Sequence, residues 1–226
     1  MLCVSCVIVV DKLPELLKYS ITYVAFKQAE KSNFMKYLII DTETTGLDAD
    51  RHELIGFGAI VLYNLQIIES YEIWVLPENI ERADSKALEV NGYDPEKWRN
   101  RAVSQSKGAE RIGFFMSRHV DATLVGHNVQ FDIKFLKALS NKQKREIPIR
   151  YPYLDTRDLC RAAFMPLGLQ SMSLDNICAW LNWRRRKAHT GLSDAEDCAK
   201  LIQVLCPPSI PFFMKLRARQ RFKNRS

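Results

Sequence analysis

The sequence contains no apolar run near the ~18 residues that a membrane-spanning helix needs, so membrane association is not expected and a cytoplasmic location is. Its first residues, MLCVSCVIVV, are apolar but lack a basic lead-in. Asp11 and Lys12 follow without a small-residue cleavage site, which argues against a secretory signal. There is no internal repeat and no low-complexity stretch ahead of the C-terminal tail. Among the six cysteines only Cys3 and Cys6 form a Cys-x-x-Cys, and no second pair completes a zinc site. The pattern reads as reduced thiols of an intracellular protein. Acidic residues are missing from 215–226, which carry Lys215, Arg217, Arg219, Arg221, Lys223 and Arg225.

What remains is an ordinary globular composition. The chain has 226 residues, 47% hydrophobic and 26% charged, which excludes disorder, collagen-like repeats and a disulfide miniprotein. That length accommodates one domain with extensions and buries a core without staples. The net charge is +7, concentrated in the tail, so a polyanion is a natural partner. A second basic cluster spans Arg184, Arg185, Arg186 and Lys187. The expected organisation is an N-terminal arm over 1–34, a catalytic domain over 35–206 and a basic tail over 207–226. The arm reads either as an appendage or as the product of too early a start codon, because Met35 opens a segment that looks like a complete domain start.

Apolar runs at 36–41, 53–63 and 65–75 predict three strands, the last two joined by a turn at Asn64. Helices are expected over 84–91, 104–119, 129–139, 156–163 and 174–181, with short strands at 123–126 and 153–155. A final helix is expected with Ser193 as its N-cap and Glu196 three residues on, stopped by Pro207. Strands first, then alternating helices and strands, predict one α/β domain with a mixed sheet.

Several acids stand where burial is expected. Asp132 shares a helix face with Phe135, Leu136 and Leu139, and Asp194 shares one with Cys198, Leu201, Ile202 and Leu205. Asp41 ends an apolar strand, and Glu43 lies two residues on, on the same side of the chain. Singly, each has an ordinary reading, such as a helix N-terminal acid favoured by the dipole. Together they form a set of carboxylates that repel one another unless cations neutralise them, and Mg²⁺ or Mn²⁺ suits such oxygen donors. His189, five residues before Asp194, is placed to act as a general base near neutral pH.

The segments Asp41-Thr42-Glu43-Thr44-Thr45-Gly46-Leu47, Val125-Gly126-His127-Asn128-Val129-Gln130-Phe131-Asp132 and His189 with Asp194, in that order, resemble the motifs of the DEDDh 3′–5′ exonucleases. That group includes the proofreading subunit of bacterial DNA polymerase III. Ala87–Gly92 and Asp155-Thr156 are weaker similar features, and the resemblance covers about 36–206. It implies a ribonuclease-H-like fold with a central five-stranded mixed sheet. It also implies two divalent ions, Mg²⁺ or Mn²⁺, held by Asp41, Glu43, Asp132 and Asp194, with His189 as general base.

The same resemblance suggests that Thr42, Thr44 and Leu47 meet the terminal nucleotide, with Leu47 as an apolar wedge and Asn128 and Phe131 lining the pocket. Arg184, Arg185 and Arg186 are expected on the strand's phosphates. The implied activity is release of nucleoside 5′-monophosphates from single-stranded or frayed 3′ ends, with DNA favoured over RNA. Two alternatives stay open: an RNA-processing exonuclease of the same superfamily, and an accessory subunit that docks on a DNA polymerase.

Overall fold

The computed structural model describes residues 35–184 and 190–206. A five-stranded sheet is built from β1 (Lys36–Thr44), β2 (Leu54–Tyr63), β3 (Gln66–Trp74), β4 (Thr123–Gly126) and β5 (Tyr153–Asp155), in the order β3-β2-β1-β4-β5. β3, β2 and β1 run antiparallel to their neighbours, whereas β1, β4 and β5 are parallel. The expected mixed sheet is therefore present. The β2–β3 turn uses Asn64 and Leu65 with φ of 50° and 62°, the left-handed pair that matches strand twist in a two-residue hairpin.

The helices are α1 (Ser85–Val90), α2 (Pro95–Arg101), α3 (Gln105–Ser117), α4 (Val129–Gln143), α5 (Thr156–Phe164), α6 (Leu174–Trp180) and α7 (Gly191–Leu205). α2 was not expected. Its Asp94-Pro95 start reads as a turn, but Asp94 caps the amides of Glu96 and Lys97 and Pro95 takes the first helical position, where a missing N–H costs nothing. The final helix also starts earlier than its capping box suggests. Thr190, not Ser193, is the N-cap, accepting from the Ser193 amide. No helix among the described residues is long and apolar enough to cross a membrane.

Strand alternation divides the core into two layers. Leu38 and Ile40 of β1, with Phe57, Ala59 and Val61 of β2, pack against Ile112 and Phe115 of α3 and Ile133 and Leu136 of α4. Tyr37 and Ile39, with Ile60 and Leu62, pack against Cys160 of α5, Ile177 of α6 and Cys198 and Ile202 of α7. Each fully buried Leu, Ile or Phe contributes roughly 1.5–3 kcal/mol by leaving water. Both layers end at the C-terminal edge of β1, so side chains from either face of that strand meet helices there. Cys160 and Cys198 are buried thiols and Cys206 a half-buried one. Cys3, Cys6, the 1–34 arm and the 207–226 tail lie outside the described residues.

Candidate active site

β1 carries its acids out of the core on one face and a threonine on the other. Asp41 and Glu43 are half-buried and lie opposite Gly58 and Gly56 of β2, whereas Thr42 is buried and lies opposite Phe57. The glycines are required by close approach. A Cβ on Gly58 would stand 2.0 Å from the Gly191 carbonyl carbon, and one on Gly191 would stand 3.2 Å from the Asp41 carbonyl oxygen. The first turn of α7 thus rests on backbone at the β1–β2 pair. Asp194, one turn further along α7, is carried to the same strand end.

Asp132 arrives from the other layer. It lies in the first turn of α4, is 2% exposed, and accepts a 2.8 Å hydrogen bond from the Thr42 hydroxyl. Burial pushes its carboxyl up to about 7, and the nearby Asp155 charge adds to the effect while Thr42 opposes it. The buried Cys198 thiol gives a second measure of convergence. Burial holds it well above its ordinary range, and the negative charges of Asp41, Asp194 and Asp132 all push it further, against a Thr156 hydroxyl 3.9 Å away.

The start of α4 is set by a residue whose importance was only faintly legible. Asn128 has φ 66°, and its side chain makes no cap hydrogen bond. The Asp155 carboxylate accepts instead from the Asn128 and Val129 amides at 3.0 and 3.1 Å, and from the Arg157 amide at 2.9 Å. One carboxylate caps both α4 and α5. His127 is a structural residue, with Nδ1 3.0 Å from the Thr156 hydroxyl and Nε2 2.7 Å from the Met172 carbonyl. Asn91, in the segment Ala87–Gly92, donates to the Thr44 carbonyl at 2.9 Å and ties that segment to the end of β1.

The remaining expected residues divide. Leu47 is 79% exposed on the β1–β2 loop, open to a ligand. The Thr44 hydroxyl is turned inward to the Gly46 carbonyl at 2.7 Å, so it shapes the loop. Phe131 is half-buried, with its ring centre 4.9 Å from that of Phe135. Arg184 is exposed. Arg185, Arg186 and His189 lie outside the described residues.

The donor set fits hard divalent cations: it consists of carboxylate oxygens, and Asp132 is buried with the Thr42 hydroxyl as its hydrogen-bond partner among the described residues. Among the described residues no three His, Cys, Asp or Glu side chains are already gathered into a metal cage.

Comparison with known proteins bears on the family and the fold. The exonuclease family RNase_T matches residues 38–202. The chain is 30% identical over 165 residues to the PolC-type DNA polymerase III of Thermotoga maritima, covering 73% of this chain but 11% of that one. It is 27% identical to the DNA polymerase III subunit epsilon of Escherichia coli, covering 74% of this chain and 69% of the other. The zinc-bound complex of E. coli exonuclease I with single-stranded DNA superposes with a TM-score of 0.67 at 17% identity, over 81% of this chain and 43% of that one. The chain thus spans about a tenth of the polymerase and less than half of exonuclease I. The shared fold is ribonuclease-H-like, built on the five-stranded mixed sheet. By the extent of the family match, the chain belongs to the RNase_T family of exonucleases.

Proposed function

We propose that the protein is a metal-dependent 3′–5′ exonuclease acting on single-stranded or frayed DNA ends. The observation that carries this reading is the Thr42–Asp132 hydrogen bond, which joins the acid of α4 to β1 beside Asp41 and Glu43, together with the seating of Gly191 of α7 against the same β1–β2 pair. Asp41, Glu43, Asp132 and Asp194 would hold two Mg²⁺ or Mn²⁺ ions. Such ions supply charge neutralisation at the phosphodiester and a lowered pKa for the attacking water.

The chain's own residues supply the rest. β1 fixes Asp41 and Glu43 on one side of the scissile phosphate, while α4 and α7 bring Asp132 and Asp194 to the others. His189 takes the proton of the attacking water. A P–O bond forms to the water oxygen, and the bond to the 3′-oxygen of the penultimate nucleotide breaks. That oxygen takes up a proton, and a nucleoside 5′-monophosphate departs. Leu47 lies open beside the terminal base, while Asn128 and Phe131 line its pocket. Arg184, Arg185 and Arg186 bind phosphates of the strand, as does the basic tail over 207–226. The catalytic domain is 35–206.

Similarity to epsilon subunits over most of their length supports a DNA polymerase as a partner. The test is an assay on 5′-labelled DNA and RNA oligonucleotides of one sequence, with Mg²⁺ or Mn²⁺. A ladder shortening from the 3′ end, faster on DNA and lost in Asp41→Ala and His189→Ala, is expected. Faster shortening of RNA assigns the exoribonuclease alternative. No ladder from either substrate overturns the reading and leaves the accessory-subunit role, which a partner search on chains with and without residues 207–226 would examine.

A further inference from the structure

Beside the carboxylates, a groove of about 340 Å³ leads away from Glu43 along the sheet. Its floor is a single cross-strand row. Glu43 on β1 is in register with Gly56 on β2, and Gly56 with Trp74 on β3, so the three residues share one face. Two interstrand spacings of ~4.8 Å put the Trp74 backbone about 10 Å from that of Glu43 across the strands. Gly56 leaves the row open, since a Cβ there would stand 3.1 Å from that of Glu43.

The far end of the row is a braced aromatic platform. Trp74 stacks on Trp98 of α2 with ring centres 4.4 Å apart at 26°, and Tyr93 leans on Trp98 at 4.9 Å. Trp98 is 5% exposed, and its indole N–H donates to the Ile55 carbonyl at 3.1 Å, so the stack is anchored to the sheet. Trp74 is only half-buried, and the exposed Arg101 guanidinium lies 5.5 Å from its ring centre. Lys97, also exposed on α2, lines the same groove and stands 3.5 Å from the Asp94 carboxylate.

An aromatic face next to an arginine plane and a lysine is the chemistry that holds an unpaired nucleotide: the base stacks and the cations take the phosphate. The layout also fixes orientation. Glu72 lines the groove and repels phosphate, so the backbone must pass along the α2 wall where Lys97 and Arg101 stand.

We propose that this groove is a second nucleotide subsite. It takes a further unpaired nucleotide of the strand whose scissile phosphate lies at the carboxylates, with the base against Trp74 and Arg101 and the phosphate at Lys97. The proposal rests on the exonuclease reading and extends it to strand-length preference. Recognition is by stacking, so it tolerates any base and disfavours paired ends.

The test uses the full chain and two probes. One is a 5′-fluorescein-labelled thymidine oligonucleotide. The other is the 4-nitrophenyl ester of thymidine 5′-monophosphate, which has one nucleoside and cannot reach the groove. Arg101→Ala is the main variant because the side chain is exposed; Trp74→Ala and Trp74→Phe accompany it. The expected result is a rise of about tenfold in KM for the oligonucleotide, exceeding any change on the ester by a similar factor. Trp74→Phe should recover most of the loss caused by Trp74→Ala, and Lys97→Ala should lower the salt dependence of binding by about one ion. Equal effects on both probes, or none on either, would overturn the subsite. Anisotropy of the labelled oligonucleotide with EDTA separates the two claims. If the wild type hydrolyses neither probe yet Arg101→Ala still weakens binding about tenfold, the exonuclease reading fails and the groove stands.

Discussion

Thr42 on β1 donates its hydroxyl to the Asp132 carboxylate of α4 at 2.8 Å, joining residues 90 apart in sequence. The bond stays within one layer of the domain: Thr42 faces the α3–α4 side of the sheet, where Asp132 stands, while Asp41 and Glu43 on the same strand face α7. Thr42→Val keeps the shape and removes the donor from a buried carboxylate. It should cost about 1–3 kcal/mol in stability. It should also lower kcat about tenfold and raise the Mg²⁺ needed for half-maximal rate, with Thr42→Ser recovering most of both. Chemical denaturation and a Mg²⁺ titration of activity measure the two effects, and an unchanged Mg²⁺ requirement would show that the bond does not position Asp132.

Asp155 accepts from three backbone amides that begin α4 and α5. Helix starts leave such amides without internal partners, and a single capping acid is worth about 1 kcal/mol where it serves one helix. Asp155→Ala should therefore cost about 2–4 kcal/mol, and Asp155→Asn, which keeps one acceptor oxygen, less. Activity should fall with both, because the turn carrying Asp132 loses its cap. Urea unfolding gives the ranking, and equal stability of the two variants would refute the charge-assisted part of the argument.

Gly58 and Gly191 meet backbone to backbone. A methyl group at Gly58 cannot fit with α7 in place, since its carbon would fall 2.0 Å from the Gly191 carbonyl carbon. Gly58→Ala should cost 1–3 kcal/mol or more through overpacking. It should lower kcat by at least tenfold by shifting the turn that leads to Asp194. Circular dichroism checks that the fold survives, and full activity in a folded Gly58→Ala would mean that the start of α7 does not position the site.

How far the sequence foretold this depends on the range of each interaction. The alternation in β1 and the acid on the apolar face of α4 are local patterns, so Asp41, Glu43 and Asp132 could be singled out from the chain alone. The start of α7 could not. Ser193 and Glu196 form a capping box on paper, but Gly191 and Leu192 are already helical because the close approach to Gly58 holds the helix there. Asp155 read as a family-like residue without a role, since its partners are 26 and 27 residues away. The Trp74–Trp98 stack was likewise invisible, because its two rings come from a strand and a helix that did not look helical.

Glu53 ties the end of the β1–β2 loop to the far end of α4. It is 8% exposed, accepts from the Glu78 and Asn79 amides at 2.8 and 2.9 Å, and pairs with Lys142 at 2.6 Å. Burial alone would raise its carboxyl, but the Lys142 ammonium and the Asn79 donors outweigh this and hold it below its ordinary value. A carboxyl depressed in the folded state adds stability above its unfolded value, about 4.3, and that stability is lost as pH falls through the lower folded value. Glu53→Gln should therefore destabilise the protein at pH 6–7 and flatten the loss of stability below about pH 4.3. Denaturation at a series of pH values from 3 to 7 tests it; parallel wild-type and variant curves would exclude the linkage.

Asp132 poses the opposite problem, because its charge is buried beside other acids and nothing on the described chain neutralises it fully. If divalent cations serve that purpose, they bind the folded state alone and stabilise it by mass action, by about 2.7 kcal/mol at a hundredfold excess over Kd. For a domain of this size that is a rise of roughly 5–10 °C in Tm. Asp132→Asn keeps the shape and removes the charge. The variant should melt at or above the wild type without metal, because one member of a repelling set is gone, and it should lose at least half of the Mg²⁺-induced rise. Scanning calorimetry with EDTA and with saturating Mg²⁺ gives all four midpoints. A wild type that gains nothing from Mg²⁺, or a variant that gains as much, would remove Asp132 from the metal-binding set.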